Sequence, residues 1–127
     1  MQGITRLAFD DPCHLCHGMG VRAAPRQLLD ALVAAENHAR AATGAAPLAR
    51  IELDDSEACC GAAGIYTLLY PKDARALLEV KLDALEASGA ELLVTANPGC
   101  QLQWQTGIAA RGLDVRVAHI ASLTAAP

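Results

Sequence analysis

Short apolar runs alternate along this chain with longer stretches in which apolar side chains recur every three or four positions. The run "ITRLAFDD" is apolar and β-leaning, which predicts a first strand over residues 4–11 closed by Pro12. Residues 25–44, "PRQLLDALVAAENHARAATG", carry helical spacing, with Leu28, Leu29, Leu32 and Val33 as the inner stripe and Gly44 as the stop. "LARIELDD", residues 48–55, alternates and predicts a second strand with Leu48, Ile51 and Leu53 as its apolar positions. A short apolar piece, "IYTLLY", precedes a strong helix over residues 71–89. Pro71 lies in the first turn of that helix, Ala74, Leu77, Leu78, Leu82 and Leu85 form its stripe, and Gly89 ends it. "AELLVTANP", residues 90–98, is the continuous apolar strand expected inside a parallel sheet. "GCQLQWQTGIAARG" predicts a turn and helix, and "DVRVAHIASL", residues 114–123, a fourth strand with a short tail.

Strands separated by helices predict an α/β fold. Right-handed crossovers give a four-stranded parallel sheet of order 2-1-3-4 with helices on both faces, half of a Rossmann- or flavodoxin-like architecture. No linker, low-complexity tract or short repeat divides residues 1–127, which read as a single domain.

Composition narrows the picture. Hydrophobic residues make up 53% of the chain but aromatics only 3%, so the core is expected to rest on Leu, Val, Ile and Ala. A net charge of −4 without any Lys/Arg cluster argues against nucleic acid and anionic membrane surfaces as partners. No apolar run reaches the length of a membrane span. The opening "MQGITRLAFDD" also lacks the basic and apolar regions of a signal peptide, so a cytoplasmic location is expected.

The cysteines change the picture most. Five is an odd count in a reducing compartment, which favours metal or catalytic use over a disulfide framework. A single buried cysteine is an ordinary small hydrophobe. Cys59 and Cys60 resist that reading, because adjacent side chains on a regular strand face opposite ways and a disulfide between neighbours is strained. In the predicted order, Cys13 and Cys16 follow the first strand, Cys59 and Cys60 the second and Cys100 the third, while His119 ends the fourth. Ligands of open α/β sheets bind beyond the carboxyl ends of the strands, so four segments would bring sulfur or imidazole to one sheet edge.

Glycine and proline surround these residues: "DPCHLCHGMG", "CCGAAG" with Gly61 and Gly64, and "NPGC" with Gly99. Glycine admits close backbone approach to a bulky ligand, and amides at helix starts can donate to sulfur and favour thiolate. A soft donor set suits zinc, copper(I) or an iron–sulfur cluster. Widely spaced single cysteines suit the cluster best, because it is broad enough to take ligands from several loops. "CHLCH" also matches the haem-attachment pattern, and Cys13–Cys16 matches a thioredoxin-like dithiol, but both leave Cys59, Cys60 and Cys100 unexplained. His14 reads as a neighbour of the thiols rather than a ligand, and His38 as a solvated helix residue. His119 is balanced between a structural role and contact with the site.

The set "DPCHLCHG … EACCGAAGIY … NPGCQLQ" resembles the cysteine-rich CCG domain family, which includes the glycolate oxidase iron–sulfur subunit, lactate-utilisation proteins and a heterodisulfide reductase component. The resemblance runs from about Asp11 to His119, and its wording is most similar to the C-terminal CCG repeat of the glycolate oxidase subunit. It implies an iron–sulfur cluster, [4Fe-4S] or a variant, on Cys13, Cys59, Cys60 and Cys100. Cys16, His17, His119, Gly61 and Gly99 become candidates for an additional ligand or for close contact. The family's late CxxC has Gln103 at its second position here, so one thiolate of the full set, which supports a non-cubane cluster and disulfide chemistry in heterodisulfide reductase, is missing. Cys16 is the extra thiol that could replace it.

Family subunits also carry a ferredoxin-like region and a first CCG repeat, so the chain is expected to be a fragment or short version of a larger iron–sulfur subunit. The function implied is electron transfer within an oxidoreductase of the glycolate or lactate type. Electrons would pass from a flavin-containing dehydrogenase subunit to a membrane or quinone acceptor, with other iron–sulfur domains of the complex as partners. Those partners would hold the domain at the inner face of the membrane. No catalytic residue is expected in this chain, and no turnover by the chain alone. The competing reading is a non-redox structural or assembly domain whose cysteines hold zinc.

Overall fold

A computed structural model describes residues 1–62 and 65–125; Gly64, singled out in the turn after the paired cysteines, lies outside them. Strands β1 (Arg6–Asp10), β2 (Ala49–Ile51), β3 (Leu92–Thr95) and β4 (Arg116–His119) form one all-parallel sheet of order β2-β1-β3-β4, as the alternation of elements predicts. Asp10 stands opposite Thr95 and Thr95 opposite His119, so three strands end at one level.

Side chains alternate between the faces with period two. On one face Leu7, Phe9, Leu92 and Val94 pack with Leu29, Leu32 and Val33 of α1 (Ala23–Thr43) and with Ile120 and Leu123 of α5 (Ile120–Thr124). On the other, Ala8 and Leu93 meet Leu78, Leu82 and Leu85 of α3 (Pro71–Ser88) and Trp104 and Ile108 of α4 (Pro98–Arg111). The aliphatic core expected from composition is there, with one ring anchoring each face: the sole Phe and the sole Trp are both fully buried. Gly107 lets α4 lie against α3, since a Cβ there would come within 2.7 Å of Leu78 Cδ2 and 2.9 Å of Leu82 Cδ1.

Four elements depart from the sequence pattern. The second strand is expected over residues 48–55 but spans only Ala49–Ile51. Beyond Ile51 the chain leaves the ladder, and Ser56 re-engages β1's end by accepting the Asp11 amide at 3.2 Å. The fourth strand stops at His119, whose Nδ1 accepts the Ala121 amide at 3.2 Å and so caps the α5 turn where a strand tail is expected. Leu28 and Leu77 are exposed instead of lining the inner stripes. The buried positions of α1 include Arg40 and those of α3 include Lys81, so both helices turn a basic residue inward. "IYTLLY" contributes a single helical turn, α2 (Tyr66–Leu69). Among the described residues no helix is long and apolar enough to cross a membrane.

Candidate metal centre

The carboxyl ends of β1 and β3 and the loop after β2 open onto a cavity of about 360 Å³ lined by Cys13, Cys59, Cys60 and Cys100. Each reaches it differently. β1 ends at Asp10, and after Asp11 and Pro12 the chain enters a single π-helical turn, His14–Gly18, for which Cys13 is the N-terminal residue. Cys59 and Cys60 lie on the loop after β2, where Gly61 takes φ +85°. A Cβ on Gly61 would stand 2.5 Å from the Ala74 carbonyl oxygen, so only glycine allows this turn to sit against α3. Cys100 lies in the first turn of α4, behind Pro98 at its start.

Ala62, Asn97, Gly99 and the exposed His14 complete the lining. Of the residues singled out from sequence, the four cysteines and Gly99 therefore share the cavity, whereas Cys16, His17, Gly61 and His119 do not line it. Cys16 is buried, and its amide donates to the Pro12 carbonyl at 2.8 Å. His17 Nε2 lies 3.0 Å from the Glu57 carbonyl oxygen, tying the first cysteine loop to the second. His119 caps α5. His14 lines the cavity as the neighbour of the thiols that the sequence suggests, whereas His17 and His119 do not. At α4 the expected donation from helix-start amides to sulfur is not what forms. The Gly99 and Cys100 amides donate to Asn97 Oδ1 at 2.8 and 3.1 Å, and it is the Gly61 amide that donates to Cys59 Sγ, at 3.3 Å.

The thiols perturb one another. Burial pushes the Cys13 thiol up to about 11, aided by its hydrogen bond with Cys59 and by the nearby Cys60. The hydrogen bond with Cys100 pulls Cys60 down to about 7 against burial, with help from the Ala62 amide and the Lys81 charge. The same bond, then burial, raises Cys100. Four thiolates in one cavity would repel strongly, and a polycationic soft centre is what relieves that repulsion.

Several supporting residues escaped the sequence reading. Arg26 grips Asp11 with both terminal nitrogens, at 2.8 and 2.6 Å, and also donates to Glu52. Ser56 Oγ donates to Asp11 Oδ2 at 2.7 Å. The buried Lys81 ammonium donates to Asp10 Oδ1 at 2.5 Å and to the carbonyls of Ser56 and Ala58 at 3.0 and 2.7 Å. Gln103 Nε2 donates to the Cys60 carbonyl at 3.1 Å. Between them these groups fix the cysteine loop from below, from α1 and from α4. The signal for Lys81 was present: it stands at a stripe position, three residues after Leu78 and four before Leu85.

A model of the CCG family, a cysteine-rich domain, matches residues 7–105. The chain is 37% identical over 119 residues to the probable glycolate oxidase iron–sulfur subunit of Bacillus subtilis, covering 92% of this chain and 24% of that protein. It is 35% identical over 101 residues to the glycolate oxidase iron–sulfur subunit of Escherichia coli, covering 80% of this chain and 21% of that one. One of the subunits of the CoM/CoB fumarate reductase of Methanothermobacter marburgensis is 29% identical over 119 residues, covering 93% of this chain and 22% of that protein. The chain thus spans about a quarter or less of the length of these relatives.

Proposed function

The chain belongs to the CCG cysteine-rich domain family, and on that premise we propose that it is a single iron–sulfur domain over residues 1–127 that relays electrons in a glycolate- or lactate-type oxidoreductase. The observation that carries this reading is the meeting of four cysteines from three separate segments around one cavity. Cys13, Cys59, Cys60 and Cys100 would be the ligands. The donor set fits: it is all sulfur, and the wall positions Ala62 and Gly99 leave room between the thiols. A bound cluster of the [4Fe-4S] type or a variant supplies one-electron transfer at a potential set by its surroundings.

The protein's own contribution is to orient the sulfurs and wall the site. Cys60 and Cys100 are buried, while Cys13 and Cys59 are half-buried, so one side of the centre is shielded and the other faces outward. Electrons would enter and leave on that outward side. The flavin subunit that delivers them, the acceptor, and a cytoplasmic place at the inner membrane face belong to this proposal as what the family resemblance implies. A zinc-holding assembly domain is the competing reading. Anaerobic reconstitution with iron and sulfide tests the reading. Stoichiometric iron and acid-labile sulfide with visible charge-transfer absorption is expected, and tight zinc binding with no sulfide uptake would overturn it.

A further inference from the structure

Lys81 is the most conspicuous buried charge that the family motif does not account for. It sits on the inner stripe of α3 and is 3% exposed. All three of its donors are used: Asp10 Oδ1, the Ser56 carbonyl and the Ala58 carbonyl. Asp10 is itself buried at the end of β1, and its other oxygen accepts from Thr95 Oγ1 of β3 at 3.3 Å. The Lys81 ammonium also lies 5.6 Å from the centre of the Trp104 ring, one helical turn beyond Cys100.

One cation therefore touches every element that delivers a cysteine. It holds the end of β1 three residues before Cys13. It fixes the two carbonyls just ahead of Cys59, and it packs on the helix that carries Cys100. A buried ion pair rarely stabilises a fold more than apolar side chains of similar volume would, since both partners lose their hydration. Stability alone is thus a poor reason to place one here. Two carbonyls in a non-helical loop do need a donor, and a neutral side chain could not supply three bonds at once.

We propose that Lys81, with Asp10, is the positioning residue of the centre: it sets the spacing of the paired-cysteine loop against Cys13 and Cys100, and its charge beneath the site tunes the centre's potential. This rests on the reading of the cavity as an iron–sulfur site. Residues that orient ligands from behind typically affect metal retention by about tenfold to a hundredfold when changed.

The test pairs wild type with the double variant Asp10→Asn/Lys81→Met, which leaves no unpaired buried charge. Both are reconstituted anaerobically, and iron release to a chelator and the midpoint potential are measured. Iron release at least about tenfold faster, with a shifted potential, is expected in a variant that keeps its secondary structure. A second measurement uses wild type alone, labelled with 15N-lysine. Lys72 and Lys81 are the two lysines of the chain, and loading should displace the Lys81 ammonium resonance while leaving that of Lys72 in place. If wild type takes up no cluster, the iron–sulfur reading falls and this proposal with it. If wild type loads and the folded variant matches it in release rate and potential, the proposal alone is overturned. Should the variant not fold, an unmoved Lys81 resonance in wild type overturns it and a displaced one supports it.

Discussion

Gln103 donates its side-chain amide to the backbone carbonyl of Cys60 across 3.1 Å, from one turn beyond Cys100 on α4. The position at which the family resemblance implies a second late thiolate is thus occupied by a tether on the paired-cysteine turn. Replacing Gln103 by Ala should leave all four proposed ligands in place and cost about 1 kcal/mol of stability, the net worth of one partly buried hydrogen bond. Replacing it by Glu should cost more, because a carboxylate would then face a carbonyl with no proton between them. Urea unfolding of the apo domain measures both, and equal stability of the three proteins would show that the tether carries no weight.

Gly61 allows a sharper test of the same turn. Its φ of +85° disfavours any side chain, and a Cβ would sit 2.5 Å from backbone atoms of α3, which cannot yield as a flexible side chain can. Gly61→Ala should therefore cost at least about 2 kcal/mol. Cluster uptake should fall with it, since the displaced residues carry Cys59 and Cys60. A variant as stable as wild type in thermal unfolding would contradict the geometry.

Much of this architecture was legible beforehand. The sheet order followed from the alternation of strands with helices, because crossover handedness leaves few alternatives. The cavity cysteines were legible because motif positions fell after strands. What stayed hidden was set by tertiary partners. Lys81 counts as polar in any hydrophobic pattern, yet Asp10 and two loop carbonyls bring it inside. Residues 52–55 alternate like a strand, but Glu52 is drawn to Arg26 and Arg50, and Asp55 takes φ +53° as the loop turns. His119 read as a strand end balanced between a structural role and contact with the site; it does end β4, and its ring caps the next helix. Cys16 could be placed three residues after Cys13, but the direction of its side chain depended on a π-turn that the sequence does not signal.

The domain alone should not oxidise glycolate or lactate with an artificial acceptor. The four cavity thiols are taken up as the proposed ligands, the exposed His14 is the one basic side chain of the lining, and the hydride acceptor is assigned to the proposed flavin partner. Steady-state assays of the pure reconstituted chain check this, and flavin-independent turnover of either acid would contradict it.

Acid stability should report on the opposite end of the sheet. Glu91 accepts the Thr5 amide at 2.6 Å, the Thr5 hydroxyl at 3.0 Å and the Arg6 amide at 3.1 Å. These bonds, the Thr5 amide first, hold its carboxyl below the ordinary 4.5. A depressed folded pKa contributes stability that is present above 4.5 and lost as pH falls through the folded value. Glu91→Gln should therefore lower the urea midpoint at pH 7, and the gap to wild type should close as pH falls from about 4.5 towards 3. A gap that does not depend on pH would remove the carboxylate from the account.

The decisive question is which sulfurs hold the centre. Cys13, Cys59, Cys60 and Cys100 line one cavity, where each of Cys13, Cys60 and Cys100 has its thiol pKa shifted by a neighbouring cysteine. Serine at any of the four should abolish or sharply weaken cluster binding, because a hard oxygen is a poor substitute for thiolate. Cys16 is buried but does not line the cavity, and its turn is fixed by the hydrogen bond that its amide donates to the Pro12 carbonyl. Serine there should leave the iron and sulfide content near that of wild type, at some cost in stability from a buried hydroxyl. Reconstitution of the five single variants, with iron and sulfide measured per chain, separates the outcomes. Full cluster content in the Cys59 and Cys60 variants would refute the ligand assignment. Loss in the Cys16 variant without loss of fold would show instead that the π-turn opens on loading, and that Cys16 takes the place that Gln103 leaves vacant among the thiolates.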